Sequence, residues 1–295
     1  GDEVITTPYT FYATIGAIVT AGAKPVFVDV DEDYNINVDK IENKINKKTK
    51  AILPVHWSGR ICNMKKIKMI SSKYEVPIVE DACHAISARY YKNFAGKFGD
   101  FGCFSLHPLK NLNVWGDGGF VIVKNKKQYQ NLRLMRNHGL VSRNKNLIFG
   151  YNSRLDTIQA VVANHLLKKI KNITKKRIEN SLYLEKRLKF LKGLIFKERS
   201  KHLVEVFHLY EFRLQNSKLR EPLVKYLRKN NIDAKIHYPI PMHLQPAAKK
   251  YSYKKGDFPI CEKIAKSTVS LPVHEHLNRE NLDKMISKIK FFMNK

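Results

Sequence analysis

A chain of 295 residues can bury a core of useful size, as one large domain or two modest ones. Its hydrophobic fraction of 43% is ordinary, and no apolar run is long enough to cross a bilayer as a helix, so no membrane partner is expected. Lys plus Arg number 54 against 26 Asp plus Glu, a formal charge of +28, but the lysines are scattered with no RNA-binding aromatic motif or basic zipper among them; this predicts a solvated, anion-attracting surface and no nucleic-acid site.

Residues 4–6 predict a first strand, followed by an amphipathic helical segment to Ile18. Residues 25–30 and 51–55 read as the next strands and 67–74 as a helix. Residues 77–79 read as a strand that runs into Glu80 and Asp81. With 103–106 and 120–123 these short β-branched runs alternate with helical patterns, which indicates an α/β domain with a mainly parallel sheet. From Asp156 to about Leu191, lysines and apolar residues recur at spacings of three and four, as in one long helical stretch. Past Gly193 the pattern changes. Residues 202–214 alternate like strands, 221–229 form a helix, 233–237 are extended, 238–242 are a Pro-rich loop, and 279–292 close the chain as a helix. The expected organisation is a large domain over 1–170, a connecting helix over 171–192 and a smaller α+β domain over 193–295. The charged start, Gly1-Asp2-Glu3, carries no signal-peptide pattern, so a cytoplasmic location is the default expectation. Cys62, Cys83, Cys103 and Cys261 form no C-x-x-C pair, which predicts neither a metal cluster nor a disulfide framework.

Three segments carry chemistry. Asp81, in V-E-D-A-C-H-A at 79–85, falls at the carboxyl end of a predicted strand, where ligands of open α/β sheets collect. A carboxylate there can keep a pyridinium nitrogen protonated, though a helix N-cap is an equal reading of this segment alone. Lys110, in F-S-L-H-P-L-K-N-L at 104–112, lies in an apolar, Pro-bearing loop unlike the settings of the other lysines. Burial there would lower its pKa and leave a neutral nucleophilic amine, while Ser105 could donate to a phosphate. Gly116-Asp117-Gly118-Gly119 allows close backbone approach before the strand at 120–123, or simply a hairpin turn.

The order of these segments is more informative than any one of them. E-D-A-C-H-A, F-S-L-H-P-L-K-N-L, G-D-G-G, R-N-H-G-L at 136–140 and G-Y-N-S-R-L-D at 150–156 resemble the DegT/StrS family of sugar aminotransferases. The resemblance extends to H-Y-P-I-P-M-H-L-Q-P at 237–246 and S-L-P-V-H at 270–274, and it begins with G-D-E-V-I-T-T-P-Y-T-F at 1–11. It implies an α/β fold of the PLP-dependent transferase type I: a large mainly parallel-sheet domain, a smaller C-terminal α+β domain, and a homodimer. Pyridoxal 5'-phosphate (PLP) is the implied cofactor. By resemblance, Lys110 matches the lysine that bonds the cofactor and Asp81 the partner of its ring nitrogen. His84 matches a residue against the ring or its phenolic oxygen, Phe11 an aromatic stacked on the ring, and Ser105 a phosphate ligand. Asn152 matches an asparagine that reaches the phosphate from the neighbouring subunit. His107, His237 and Tyr238 are expected to border the substrate.

The implied reaction passes an amino group from a donor, expected to be glutamate, to a keto sugar on a nucleoside diphosphate. The G-D-G-G motif resembles members acting at sugar C3 more than those acting at C4. Related dehydratases carry histidine in place of the lysine, so Lys110 argues against that activity. A catalytically silent or regulatory protein on the same fold is the alternative of a different class. Members of the family usually carry several dozen residues before G-D-E-V-I, including a turn at a helix N-terminus that binds the cofactor phosphate. The sequence therefore reads as N-terminally truncated, with weak cofactor binding as the expectation.

Overall fold

Short strands rich in branched side chains pair in parallel wherever a helix or a long loop can return the chain to the same edge. A computed structural model describes residues 1–294. It begins with β1 (Glu3–Thr6), α1 (Tyr12–Thr20), β2 (Lys24–Phe27), β3 (Thr49–Ile52), α2 (Met64–Tyr74) and β4 (Val79–Asp81). A hairpin of β5 (Arg89–Tyr90) and β6 (Asn93–Phe94) precedes β7 (Phe101–Ser105) and β8 (Gly119–Val123). The order β2-β1-β3 is parallel throughout, and the bridges Ile52 to Ile78 and Val55 to Asp81 join β3 to β4, also in parallel. Next come β7, parallel to β4, and β8, antiparallel to β7. Local signals fix the elements: Asn63 caps α2 by accepting from the Lys66 N–H, and Glu75, left-handed at φ 54°, ends it. Ile5, Ile52, Ile67 and Ile78 are buried together beneath this sheet. Each such side chain contributes roughly 1.5–3 kcal/mol of apolar burial.

Downstream lie α3 (Lys126–Met135), a hairpin of β9 (Leu140–Ser142) and β10 (Lys145–Asn146), α4 (Thr157–Leu167) and α5 (Ile170–Leu188). The chain closes with β11 (Leu194–Ile195), β12 (Leu203–Val204), β13 (Tyr210–Leu214), α6 (Arg220–Lys229), α7 (Pro259–Ser267), β14 (Thr268–Leu271) and α8 (Arg279–Met293). The sheet β11-β13-β14 is antiparallel, and α5, α6 and α8 contribute to the core that backs it.

Several expectations are corrected. The helical run from Asp156 is two helices, α4 and α5, separated at Lys168 and Lys169 without Gly or Pro. The break lets Ile170 turn inward against Leu106, Leu112 and Val114. The strand expected at 25–30 ends at Phe27, and Val30 bridges Ile36 instead. Residues 202–214 are not one alternating ribbon. Strand β12 pairs with β5 of the first lobe, while β13 is buried at every position because both its edges and both its faces are covered. The strand at 120–123 is an antiparallel edge.

Several contacts hold the C-terminal segment against the first lobe. Asp29 accepts the N–H groups of Ile260 (3.1 Å) and Cys261 (2.9 Å) at the start of α7. Glu211 accepts from Trp57 Nε1 (2.9 Å) and from Lys197 Nζ (3.1 Å). Around these contacts Tyr9, Phe27 and Trp57 share one apolar cluster with Met242, Phe258 and Ile264.

Candidate active site

The carboxyl ends of β4 and β7 open onto a cleft of about 750 Å³, a size suited to a cofactor with a substrate. Asp81 is the last residue of β4 and lines this cleft. Its carboxylate is held from two sides: Cys83 N–H donates to Oδ1 at 3.1 Å and Thr14 Oγ1 to Oδ2 at 2.7 Å. With its proton committed to Asp81, the Thr14 hydroxyl can accept from Thr10 Oγ1, 2.7 Å away. Two hydroxyls of the α1 segment thus orient one carboxylate, a role that no spacing in the sequence announced.

Ser105 ends β7, and the chain turns tightly after it. His107 N–H donates to Ser105 Oγ (3.2 Å), Leu109 N–H to His107 Nδ1 (3.2 Å) and Lys110 N–H to His107 O (2.8 Å). This turn delivers Lys110 into the cleft that Asp81 lines. Burial pushes the Lys110 amine below the usual lysine range, while Cys83 and Asp81 pull it back up. Its Nζ makes no hydrogen bond or ion pair among the described residues.

Two imidazoles pack beside the lysine, with ring centroids of His84 and His208 4.2 Å apart. Their hydrogen bonds fix opposite tautomers. His84 Nδ1 accepts from Ser58 N–H at 3.3 Å, so its proton sits on Nε2. Asn111 donates through Nδ2 to Val206 O (3.1 Å) and faces His208 Nδ1 with Oδ1 (3.3 Å), so the His208 proton sits on Nδ1. Burial pushes both rings well below the usual histidine range, reinforced by Lys110 at His84 and by His84 and then Lys110 at His208. His208 was not anticipated. It lies in the stretch read only as strand, and its placement depends on Phe207, which is left-handed at φ 46°.

On the opposite rim, His237 Nδ1 meets Ser270 Oγ at 3.0 Å, and Tyr238 packs edge-on against Trp57 at 5.6 Å. The His237–Tyr238 peptide is cis. Phe11, about one-third exposed, caps α1 and lies 5.8 Å from the Tyr238 ring. Phe11, Asp81, His84, Ser105, His107, Lys110, His237 and Tyr238 therefore all line one cleft. Asn152 does not; it is exposed and bridges Asn137. A second cavity, about 400 Å³ between β13 and α7, shares none of these residues.

Comparison with known proteins fits this geometry. A family model described as the DegT/DnrJ/EryC1/StrS aminotransferase family matches residues 1–290. The dTDP-3-amino-3,6-dideoxy-alpha-D-galactopyranose transaminase of Aneurinibacillus thermoaerophilus is 37% identical over 292 residues, covering 98% of this chain and 78% of that protein. A crystal structure of S. venezuelae DesV in complex with a ketimine intermediate superposes with a TM-score of 0.95 at 31% identity, covering 100% of this chain and 79% of that one. The Bacillus subtilis NtdA structure with bound cofactor PMP gives a TM-score of 0.92 at 27% identity, over 100% of this chain and 68% of that one.

Proposed function

Because this chain belongs to the DegT/DnrJ/EryC1/StrS aminotransferase family, whose members use pyridoxal phosphate, we propose that it aminates a keto sugar carried on a nucleoside diphosphate, with glutamate as donor. The observation that carries the reading is a half-buried lysine without a hydrogen bond or ion pair and a doubly anchored carboxylate on the walls of one cleft. The residues present fit the cofactor, since an amine without a hydrogen-bond partner and with a lowered pKa suits its aldehyde and a carboxylate its ring N–H. When bound, PLP supplies an electrophilic carbon for amines and a ring that stores the electron pair released at the adjacent carbon.

Each residue then has a task. Lys110 Nζ, whose pKa burial lowers from the usual lysine range, would be the amine that holds the cofactor's aldehyde carbon. Once free of the cofactor, the same nitrogen would serve as the general base and acid that moves a proton at the amine-bearing carbon. Asp81 accepts the ring N–H, with its orientation fixed by Thr14 and the Cys83 N–H. His84 presents Nε2–H to the phenolic oxygen, Ser105 binds phosphate, and Phe11 stacks on the ring. His107, His237 and Tyr238 border the sugar nucleotide, and the excess of basic groups steers its diphosphate. Amination at C3 is favoured over C4 by the G-D-G-G motif and by the 3-amino product named for the Aneurinibacillus relative. Incubation with glutamate, PLP and a panel of 3-keto and 4-keto nucleotide sugars is expected to give an amino sugar, seen by mass, from a 3-keto member. No product from any member sinks the proposal.

The proposal includes a symmetric homodimer. Helix α4 is apolar yet buries no residue: Ile158 is 63% and Val161 62% exposed. Its Gln159 accepts from the N–H of Trp115, itself 76% exposed, and Phe149 is wholly exposed. Exposed apolar surface on this scale calls for a partner, and a second copy covers it with the same surface. Asn152 would then serve the second copy's phosphate. Sedimentation is expected to give twice the chain mass, with Val161→Glu shifting the protein toward monomer. A wild-type monomer at micromolar concentration refutes this part.

A further inference from the structure

We infer that Arg177, with Glu275 as its internal counter-charge, forms a carboxylate-binding subsite on the wall of the cleft. Under the reading above, which this inference deepens and rests on for the identity of the acid, the subsite takes a carboxylate of the amino donor.

Arg177 projects from α5 and is only 8% exposed, yet it lines the cleft together with His274, Glu275 and His276. Its Nη1 donates to the carbonyls of Phe207 (3.2 Å) and His208 (3.5 Å), which fixes the guanidinium plane. Its Nε faces Glu275 Oε2 at 3.4 Å, but neither atom makes a hydrogen bond. Nothing among the described residues bonds Nη2. A desolvated guanidinium is thus held rigid against a carboxylate it only half engages.

A guanidinium used purely for architecture looks different in this molecule. Arg199 commits Nε, Nη1 and Nη2 to Glu185 and Glu205. Arg60 gives Nε to Asp33 and Nη1 to Glu198 O and Glu205. Arg60, Arg213 and Arg220 also leave one or more nitrogens unbonded, but none of them lines this cleft. A buried cation is stable only when a well-shaped anion completes its hydrogen bonds, and a carboxylate completes a guanidinium fork in two parallel bonds. The Glu275 side chain, 22% exposed, already shows that a carboxylate is tolerated at this position. Arg177 donates to the backbone carbonyl of His208, whose ring packs against His84, and all three line the same cleft as Lys110. An acid group at Arg177 would orient a donor whose amine reaches Lys110.

The test is calorimetric titration of the full chain with glutarate and, separately, inorganic phosphate. Glu275→Gln removes the competing carboxylate and is expected to tighten glutarate roughly tenfold. Arg177→Gln is expected to weaken it by at least about tenfold, and the tightening vanishes in the double variant. A tightening that persists without Arg177 is a general field effect and overturns the inference. So does equal tightening of phosphate, or a Kd for glutarate indifferent to Glu275. Should Arg177→Gln fail to fold for want of the Phe207 and His208 contacts, the glutarate and phosphate arms of Glu275→Gln decide alone. Reductive trapping of PLP on Lys110 is measured in parallel. Trapping without Arg177-dependent glutarate binding defeats this inference and spares the aminotransferase reading; the reverse pattern defeats the reading and spares the subsite.

Discussion

Replacing Lys110 with alanine is expected to abolish borohydride trapping of PLP on the protein and to lower amino transfer by about 10⁴-fold, because one nitrogen serves as both tether and proton carrier. Digestion and mass analysis of the trapped wild-type protein should place the label on the peptide containing Lys110. A label that survives in Lys110→Ala, or that sits on Lys197, overturns the assignment. The same lysine should weigh on stability. Its amine is depressed by burial in the folded chain, so the unfolded chain binds more protons in the pH range below 10.5 and stability rises with pH there. Lys110→Met lacks this dependence. Thermal melts of the two apo proteins should therefore converge as pH climbs toward 10.5, with the methionine variant the more stable at neutral pH. Parallel pH profiles for the pair would contradict the burial.

Glu211→Ala is expected to destabilise the chain by about 3–5 kcal/mol, the cost of leaving a buried charge unpaired. Among the described residues Glu211 is the only carboxylate bonded to Lys197 Nζ, and the two side chains are 0% and 4% exposed. The substitution also strips Trp57 Nε1 of its acceptor. Lys197 Nζ keeps the Ser58 hydroxyl at 3.0 Å and the face of the Tyr34 ring at 3.8 Å but no anion, and Ser58 is the residue whose N–H orients His84. Urea denaturation measures the loss, and a change below about 1 kcal/mol would mean the pair behaves as an exposed one. Pairing Glu211→Leu with Lys197→Met should recover most of the stability, since apolar replacement removes both charges together.

The sequence carried the parts of the fold whose causes are local. Strands β1 and β4 and helices α2 and α6 were legible because period, caps and β-branched runs lie within each segment. Helix α7 was not, because its first N–H groups are satisfied by Asp29, 231 and 232 positions away. Nor was the pairing of β12 with β5, which two residues of each strand settle only after both lobes have met. The site divides the same way. Lys110 and Asp81, which line one cleft, were singled out by ordered motifs, since each ends a strand or follows one in a recognisable loop. Thr14, Arg177 and His208 reach the cleft only through tertiary placement. A threonine in a helix, an arginine among the lysines of α5 and a histidine after a left-handed phenylalanine bear no local mark of such a role.

The long-range bond from Asp29 to α7 also bears on how the protein is made. A chain growing from its amino end exposes Asp29, Trp57 and the apolar ring around Tyr9 long before Ile260 and Glu211 are synthesised. The first lobe must therefore wait, incomplete and adhesive, until the α7 segment 231 residues beyond Asp29 has been made. Slowing translation should lengthen that wait and raise the demand for chaperones, and neither half expressed alone should yield a stable product.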